Sequence, residues 1–363
     1  MADEVSKDEA VAERAPMTEA ETPKKSGFFN NLSIRNKLVA LLTVFGLSPA
    51  IVLFVILELQ GGPFHQVLAQ GLAINATKMM DVIERNLFER YGDVQAFGLN
   101  TTAQDPANWG NPSDRNPLVG AMNGYMTGYG IYQLTLLVSP EGKLLVANTV
   151  GPLGKPLNTK GLYGKSFAGE QWLKDVMAGK FLEGDGLSGT NVTDAHFSAL
   201  VDDVYGSKGA YSLIYAAPVK NAAGKTVAVW ANYADFGLVE DIVGAFHTEY
   251  KTGGQPKTEL TLLDKNGAVI VDYDPTAQGW TKYPRKPNVI GKVNLAKLGV
   301  EAAVAAVKGG SGSLEDTFHA RKKIHQAAGY ATPKVATTTL VSAGRGSFER
   351  LSKMSTRCGI RRS

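Results

Sequence analysis

The stretches "LTLLVSPEGKLLVANT" at residues 134–149 and "LTLLDKNGAVIVDYDP" at residues 260–275 share one pattern. Each has an apolar run, a polar turn that ends in glycine, and a second apolar run, with Gly142 matching Gly267. Two apolar runs around such a turn are typical of a β-hairpin. The repeat, about 125 residues apart, predicts two strand-rich modules built on the same plan.

Each of these hairpins is followed by a helical pattern and then by another hairpin pattern. In the first copy the helix lies in "FAGEQWLKDVMAGK" (167–180), and the second hairpin turns at Asn221–Gly224 before a helix over residues 235–250. In the second copy the helix lies within residues 295–310, and the second hairpin turns near Arg321–Lys323. Two hairpins joined in one antiparallel sheet can bury a face against helices, so the fold class is α+β. Residues 101–117 and "GLSGTNV" (186–192) are expected to be loops.

A long amphipathic helix is predicted over residues 64–100, before the first module. It would be about 55 Å long at a rise of 1.5 Å per residue, which suits a stalk, a helix that covers a sheet, or both. Its apolar residues recur at spacings of three, four and seven: Leu68, Leu72, Met79, Ile83, Leu87, Val94 and Phe97.

The run "LVALLTVFGLSPAIVLFVIL" (38–57) carries no charge and is long enough to span a bilayer as a helix. Arg35 and Lys37 precede the run, so the positive-inside rule places the N-terminus in the cytoplasm and the region after Gln60 outside. We therefore expect a disordered leader at residues 1–36 and one transmembrane helix at 37–60, with a break at Gly61–Pro63. The alternative, a cleaved signal peptide, is disfavoured because the run is too long and begins well into the chain.

The net charge of +4 comes from the end of the chain. Residues 61–333 carry 25 basic and 25 acidic side chains, whereas residues 334–363 carry 7 basic and 1 acidic. This distribution does not favour nucleic-acid binding. The only cysteine, Cys358, lies in the same final segment, so no disulfide can form within the chain.

The last segment, Lys334–Ser363, has neither a helical nor a strand period, and we expect it to be unstructured. The codons for "KVATTTLVSAGR", read one base earlier, permit "GSNDYPGLGW". We therefore hypothesise that a frameshift near Lys334 replaced the natural continuation of the chain. On this hypothesis the second module lacks a strand, which would leave an open sheet edge.

The order of these elements resembles the double Cache sensory region of bacterial methyl-accepting chemotaxis proteins. The similar stretches include "RNLFERYGDVQAFGLN" (85–100), residues 167–180, residues 215–243 and "GSLEDTFHARKKIHQAAGYA" (312–331). The resemblance implies a membrane-distal PAS-like Cache module at residues 101–250 and a membrane-proximal one at 251–333. It also implies a bacterial inner-membrane receptor with a periplasmic sensory region, which forms a homodimer through the long helix (61–100).

In that family the distal module usually holds a small molecule, and many members that bind amino acids carry an Arg-x-Trp-aromatic pattern. Here Glu170 stands at the arginine position, Trp172 matches the tryptophan, and Leu173 replaces the second aromatic residue. Asp235, with Tyr211 or Tyr215, matches the family's other contact residues. The resemblance therefore implies a small-molecule ligand such as an amino acid, an amine or an organic acid. The carboxylates favour an amine or cation, although Trp172 could be core, Glu170 solvated and Asp235 a helix cap.

No motif predicts catalysis, a cofactor or a metal site. Gly164-Lys165-Ser166 ends like a phosphate-binding loop but lacks the first glycine of that motif, which would fall at Thr159. We expect a chemoreceptor sensing region without a second membrane helix or a signalling domain. The same topology also suits the sensor of a histidine kinase or a diguanylate cyclase. The alternative from another class is a membrane-anchored extracytoplasmic binding or scaffold protein.

Overall fold

The computed structural model describes residues 33–184, 186–273, 285–333 and 339–344, without the side chains of 57–63 and 339–344. Two compact units divide the chain, Met1–Gly61 and Gly62–Ser363. The leader expected at residues 1–36 lies almost entirely outside the described residues, as does most of the final segment.

Helix α1 (Ile34–Gly98) begins in the first unit, where the residues from Ile34 to Ile56 have a mean hydropathy of 2.6 and no buried side chains. By length and composition this is the one helix in the described part of the chain that could cross a membrane. The break predicted at Gly61–Pro63 is wrong, because the backbone there is helical. Proline inside a helix removes one backbone hydrogen bond and costs about 3 kcal/mol, which the remaining hydrogen bonds of a 65-residue helix offset.

The second unit contains two five-stranded antiparallel sheets, which we call the distal sheet and the proximal sheet after the modules predicted above. The distal sheet has the order β2-β1-β5-β4-β3 and the proximal sheet the order β7-β6-β10-β9-β8. These orders are the same, strand for strand, so the repeat predicted from the two matching stretches is confirmed.

The distal module contains five helices and five strands. Helices α2 (Thr101–Gln104) and α3 (Pro117–Tyr129) precede β1 (Tyr132–Val138) and β2 (Leu144–Ala147). Then follow α4 (Gln171–Met177), β3 (Asn191–Phe197), α5 (Ala199–Tyr205), β4 (Tyr211–Lys220), β5 (Thr226–Asp235) and α6 (Gly237–Thr252). The prediction missed α3, α5 and β3. The loops expected at residues 101–117 and 186–192 are wrong where α2 and the start of β3 lie. Every residue of β3 is half-buried or exposed, as suits an edge strand, so no run of apolar residues marks it.

The proximal module contains β6 (Glu259–Leu263), β7 (Val269–Tyr273), α7 (Glu301–Lys308), β8 (Ser311–His319), β9 (Ile324–Ala331) and β10 (Thr339–Gly344). The expectation of an unstructured tail from Lys334 is wrong for β10, which pairs with both β6 and β9. The predicted open edge is therefore absent. The pairing of β10 depends on its backbone, so a weak sequence pattern does not exclude the strand.

Gly142 and Gly267 show why the two hairpin turns share a glycine. Both have left-handed backbones, with φ of +88° and +86°, which favour glycine strongly. A Cβ at Gly142 would collide with Ala168, and one at Gly267 would collide with Ala296. In each module the segment that follows the hairpin packs directly on the turn.

Both sheets share one core with the part of α1 that lies in the second unit. The predicted apolar stripe on α1 is confirmed, since six of its seven residues are buried and Leu68 is partly buried. At Gly329 on β9 the helix lies so close that a Cβ would collide with Leu72 and Ala73. The other face of each sheet has a core of its own, under α4 in the distal module and α7 in the proximal one.

Candidate functional site

Helix α4 brings Trp172 onto one face of the distal sheet. The indole is 1% exposed and packs near Phe167, with ring centroids 6.5 Å apart. The same cluster contains Ile214 and Ala216 of β4. The face of the sheet under α4, which we call the α4 face, is therefore lined mainly by apolar side chains around this tryptophan.

Tyr233 is the polar group at the centre of the α4 face, and the sequence analysis missed it. Burial raises the pKa of its hydroxyl, and the nearby Glu170 carboxylate raises it further. Strand alternation could have identified Tyr233, because Trp230, Asn232 and Ala234 face one side of β5 and Ala231 and Tyr233 the other.

Glu170 and Asp235 are two carboxylates at the margin of the α4 face. Glu170 is exposed and precedes α4, where its side chain makes no capping hydrogen bond. Asp235 is two residues beyond Tyr233, so it faces the same side of β5. Its Oδ1 accepts a hydrogen bond from the Gly237 amide at 2.9 Å and lies 3.5 Å from Nη2 of Arg285. Asp235 therefore has a structural role at the start of α6.

The structure places Tyr211 and Tyr215 on the opposite face, which packs against α1. Side chains of one strand point alternately to the two faces, and Ile214, between these tyrosines, belongs to the α4 face. The five predicted residues thus do not form one site. Glu170, Trp172 and Asp235 share a face, whereas the two tyrosines are separated from them by the sheet.

The face toward α1 holds a buried charged cluster that the sequence analysis did not identify. Arg90 and Asp93 on α1 form an ion pair with Nε and Oδ2 3.1 Å apart, and their side chains are 11% and 14% exposed. The Tyr132 hydroxyl donates a 2.5 Å hydrogen bond to the same carboxylate. Burial raises the pKa of Asp93, although Tyr132 and Arg90 lower it. The Arg90 guanidinium also lies over the Tyr129 ring, 5.8 Å from its centroid.

Arg285 brings a guanidinium to the distal module from the segment before α7. It forms two parallel hydrogen bonds to Glu240 on α6, Nε to Oε1 at 2.8 Å and Nη2 to Oε2 at 2.9 Å. Its Nη1 donates to the Gly209 carbonyl at 2.9 Å, and the group lies 5.5 Å from the centroid of the Tyr211 ring. No local pattern in the sequence could have paired Arg285 with residues 45 and more positions earlier.

One further cavity, of about 290 Å³, lies between α1 and the C-terminal end of α6. Asn75, Phe246, Glu249 and Gln255 are among its lining residues. None of the predicted site residues lines it. Across the described ranges, no group of three or more His, Cys, Asp or Glu residues is arranged to hold a metal ion.

The sequence matches no family model and no curated protein. Solved structures are similar in fold. One is the ligand-binding domain of the Pseudomonas aeruginosa amino acid chemoreceptor PctC in complex with GABA, at 14% identity and a TM-score of 0.50. The match covers 76% of this chain and 99% of that one.

A domain of a sensory box/GGDEF family protein from Vibrio parahaemolyticus is also similar, at 10% identity and a TM-score of 0.54, covering 79% of this chain and 99% of that one. An extracellular ligand binding receptor from Desulfohalobium retbaense matches at 12% identity and a TM-score of 0.50, covering 76% of this chain. This chain spans only 40% of that receptor. The described part of the chain therefore has the fold of bacterial ligand-binding sensory domains, as the double Cache resemblance predicted.

Proposed function

We propose that this chain is the sensing region of a transmembrane chemoreceptor, with its N-terminus in the cytoplasm and its two modules in the periplasm. The observation that carries the proposal is the pair of sheets with the same strand order, both packed on α1. A ligand could bias two arrangements of sheet and helix, and the difference in its affinity for them sets the signal. This role is binding and not catalysis.

The ligand site in this proposal is the margin of the α4 face. Trp172 and Tyr233 are aromatic residues buried under this margin, and Glu170, which is exposed, supplies a carboxylate that makes no capping bond. No arginine stands at the family's carboxylate-binding position, whereas an ammonium group is attracted both to an aromatic ring and to a carboxylate. We therefore propose an amine as the ligand class, which includes amino acids with a second amino group.

A homodimer through α1 is part of the same proposal. Phe64, Val67, Ile74 and Phe88 are 56–69% exposed on this helix. Val67, Ile74 and Phe88 recur at multiples of seven residues, the spacing of a coiled-coil seam. A second copy of the helix would cover them.

Thermal unfolding of the full chain in lipid nanodiscs tests the ligand class. Putrescine, L-arginine and γ-aminobutyrate are the probes, each against sodium chloride of equal ionic strength. An amine that binds the folded state raises the melting temperature.

Glu170→Gln should remove that rise without changing the melting temperature of the free protein, because Glu170 makes no capping bond. Glu141→Gln, in the exposed turn between β1 and β2, is the matched control. A melting temperature that none of the three probes raises would contradict the proposal that the ligand is an amine.

The similarity to the sensory box/GGDEF protein favours a second candidate for the cytoplasmic domain that the sensing region controls. The sensing region of a diguanylate cyclase or a histidine kinase would have the same fold and differ only in its cytoplasmic domain. The gene sequence downstream of the codon for Lys334, read in all three frames, distinguishes these outputs. A scaffold protein would encode neither a second membrane helix nor a signalling domain in any frame.

A further inference from the structure

The cavity between α1 and the C-terminal end of α6 has a lining that comes from three segments of the chain. These are α1, α6 and the connection from α6 to β6, which contribute Asn75, Phe246, Glu249, Tyr250, Gly253 and Gln255. The volume of about 290 Å³ lies at the lower end of the range for ligand pockets. One water molecule takes about 30 Å³ of liquid, so the cavity suits a ligand of about ten heavy atoms.

The spacing of the lining residues explains why their side chains meet there. Asn75 follows the buried Leu72 by three positions and precedes the buried Met79 by four, so it borders the buried side of α1. Phe246 and Tyr250 are four positions apart on α6, with Glu249 three positions after Phe246. One side of each helix therefore faces the cavity.

Asn75, Glu249 and Gln255 bring polar groups to the cavity that the rest of the described chain does not use. Neither amide nor the carboxylate has a side-chain hydrogen bond or an ion pair within the ranges that the structure describes. A side-chain amide both donates and accepts, and a carboxylate accepts at two oxygens. A hydroxyl also donates and accepts, so a ligand with several hydroxyls can bond to all three side chains.

The charge around the cavity does not select an ion. Glu249 is the single charged residue of the lining, and it would favour a cation. However, Lys78, Lys251 and Lys257 lie two or three positions from lining residues on the same three segments. Charges this close act on one another within a Debye length of about 8 Å. The surroundings are therefore not negative overall, and a neutral ligand fits them best.

Phe246 and Tyr250 supply the apolar part of the lining. Phe246 is half-buried and packs against the core that α1 shares with the sheets, and Tyr250 is buried in that core. Ligand pockets typically combine aromatic side chains with a few polar groups that fix the orientation. A flat aromatic ring packs better on a ring-shaped ligand than on an open chain, because the two flat faces stay in contact over their whole area.

We propose that this cavity is a second ligand site, which takes a neutral cyclic polyol such as a monosaccharide. Its hydroxyls bond to Asn75, Glu249 and Gln255, and one face of its ring packs on the aromatic side chains. The bound molecule contacts α1, α6 and the connection between the modules at once. None of the residues of the proposed amine site lines this cavity, so the two sites are independent.

Calorimetric titration and thermal unfolding of the full chain in nanodiscs test the proposal with D-glucose, D-galactose and myo-inositol. Sorbitol at equal concentration is the reference, because it has as many hydroxyls as inositol but no ring. It also corrects for the general stabilisation that sugars and polyols give by exclusion from the protein surface. We expect at least one cyclic probe to bind saturably and to raise the melting temperature more than sorbitol does.

Asn75→Ala should weaken that binding by about tenfold, which corresponds to the loss of one hydrogen bond. The free variant should melt no lower than the wild type, because alanine is the best helix former. Asn86→Ala is the matched control, since Asn86 is also half-buried on α1 but lies about three turns further along the helix. It should bind the cyclic probe as the wild type does.

The proposal is disproved if no cyclic probe binds more tightly than sorbitol, or if Asn75→Ala binds the probe as the wild type does. An amine response that Asn75→Ala abolishes would also overturn it, because the cavity would then hold the amine. Loss of the amine response in Glu170→Gln with polyol binding unchanged is the result expected when both sites exist. Polyol binding without any amine response would contradict only the proposed amine site.

Discussion

Arg285 and Glu240 link the two modules through a bidentate ion pair. Both hydrogen bonds are shorter than 3.0 Å, and the Glu240 side chain is only 9% exposed. Since Glu240 is on α6 of the distal module and Arg285 precedes α7 of the proximal one, the pair fixes their relative position.

Replacing Arg285 by Met should destabilise the protein by about 2–3 kcal/mol, because Glu240 would remain buried without its charge-assisted hydrogen bonds. Chemical unfolding of the full chain measures the change. Arg285→Met combined with Glu240→Gln should recover part of the loss, since no buried charge is then left alone. A double variant that is less stable by the full sum of the two single losses would show that the residues act independently.

The contribution of the Arg285–Glu240 ion pair to stability should depend on pH. Burial raises the pKa of Glu240, although Arg285 lowers it. A carboxyl group with a raised pKa contributes stability at low pH and loses that contribution as pH rises through its folded pKa. In Arg285→Met the pKa of Glu240 should rise further, so this variant should lose stability relative to the wild type as pH rises above 4.5, the ordinary pKa of a glutamate. A stability difference that is constant over this range would contradict the assignment.

Asp93 and Tyr132 hold α1 to the distal sheet, and Tyr132→Phe tests that contact. Removal of the hydroxyl deletes a 2.5 Å charge-assisted hydrogen bond to a mostly buried carboxylate. We expect a loss of about 1.5–3 kcal/mol in the free energy of unfolding. Tyr205→Phe is the control, because its hydroxyl donates to the Gln133 carbonyl at a more exposed position. Equal losses in the two variants would show that Asp93 adds nothing to the contact.

His319 should make the protein less stable in acid. Its folded pKa of about 4 lies below the ordinary value of 6.5, so between these values the unfolded chain binds a proton that the folded chain excludes. Stability should therefore fall by up to about 1.4 kcal/mol per pH unit as pH drops through this window. His319→Gln should remove that part of the slope. A ring that titrates near 6.5 in the folded protein, followed by NMR, would contradict the prediction.

The dimer seam on α1 can be tested with two substitutions. Ile74→Glu with Phe88→Glu places charges at two exposed positions on the line of seven-residue spacing, and like charges there repel across a parallel pair of helices. We expect the wild type in nanodiscs or detergent to have the mass of a dimer by light scattering and the variant that of a monomer. Leu153→Glu, at an 84% exposed position in the distal module, should leave the dimer intact. A wild type that is already monomeric would disprove the seam.

The two modules could be predicted from the sequence because hairpins have local signatures. Gly142 and Gly267 mark turns, and an uninterrupted apolar run lies on each side of each turn. A few neighbouring residues are therefore enough to predict these strands and their repeat. Strand β3 carries no such signal, since an edge strand with half-buried residues has little apolar alternation. Local pattern therefore predicted four strands of the distal sheet, including β2 at one edge, and missed β3 at the other edge.

The site was harder to predict because it depends on which face a side chain occupies. Tyr211 and Tyr215 match the family's pattern by residue type, but their position in β4 directs them to α1. Moving a residue by one position along a strand puts its side chain on the other face of the sheet. Tyr233 on β5 is the tyrosine whose side chain does face α4. The partners of Arg285 are set by contacts between distant segments, about which a local sequence pattern carries no information.

Strand β10 gives the sharpest test of the final segment. Val341 pairs with Thr261 on one side and Tyr330 on the other, so the strand lies in the middle of the proximal sheet and not at its edge. Proline has no amide hydrogen and cannot complete such a ladder. Val341→Pro should therefore release the strand, destabilise the proximal module by about 3 kcal/mol or more, and speed amide exchange in β6 and β9.

Val341→Thr is the matched control for this strand, because threonine keeps both the amide and the β-branched shape that strands favour. Slow exchange in β6 and β9 of the control, with fast exchange in the proline variant, would show that residues 339–344 complete the sheet. Equal exchange in the wild type and in Val341→Pro would mean that β6 and β9 do not depend on this strand.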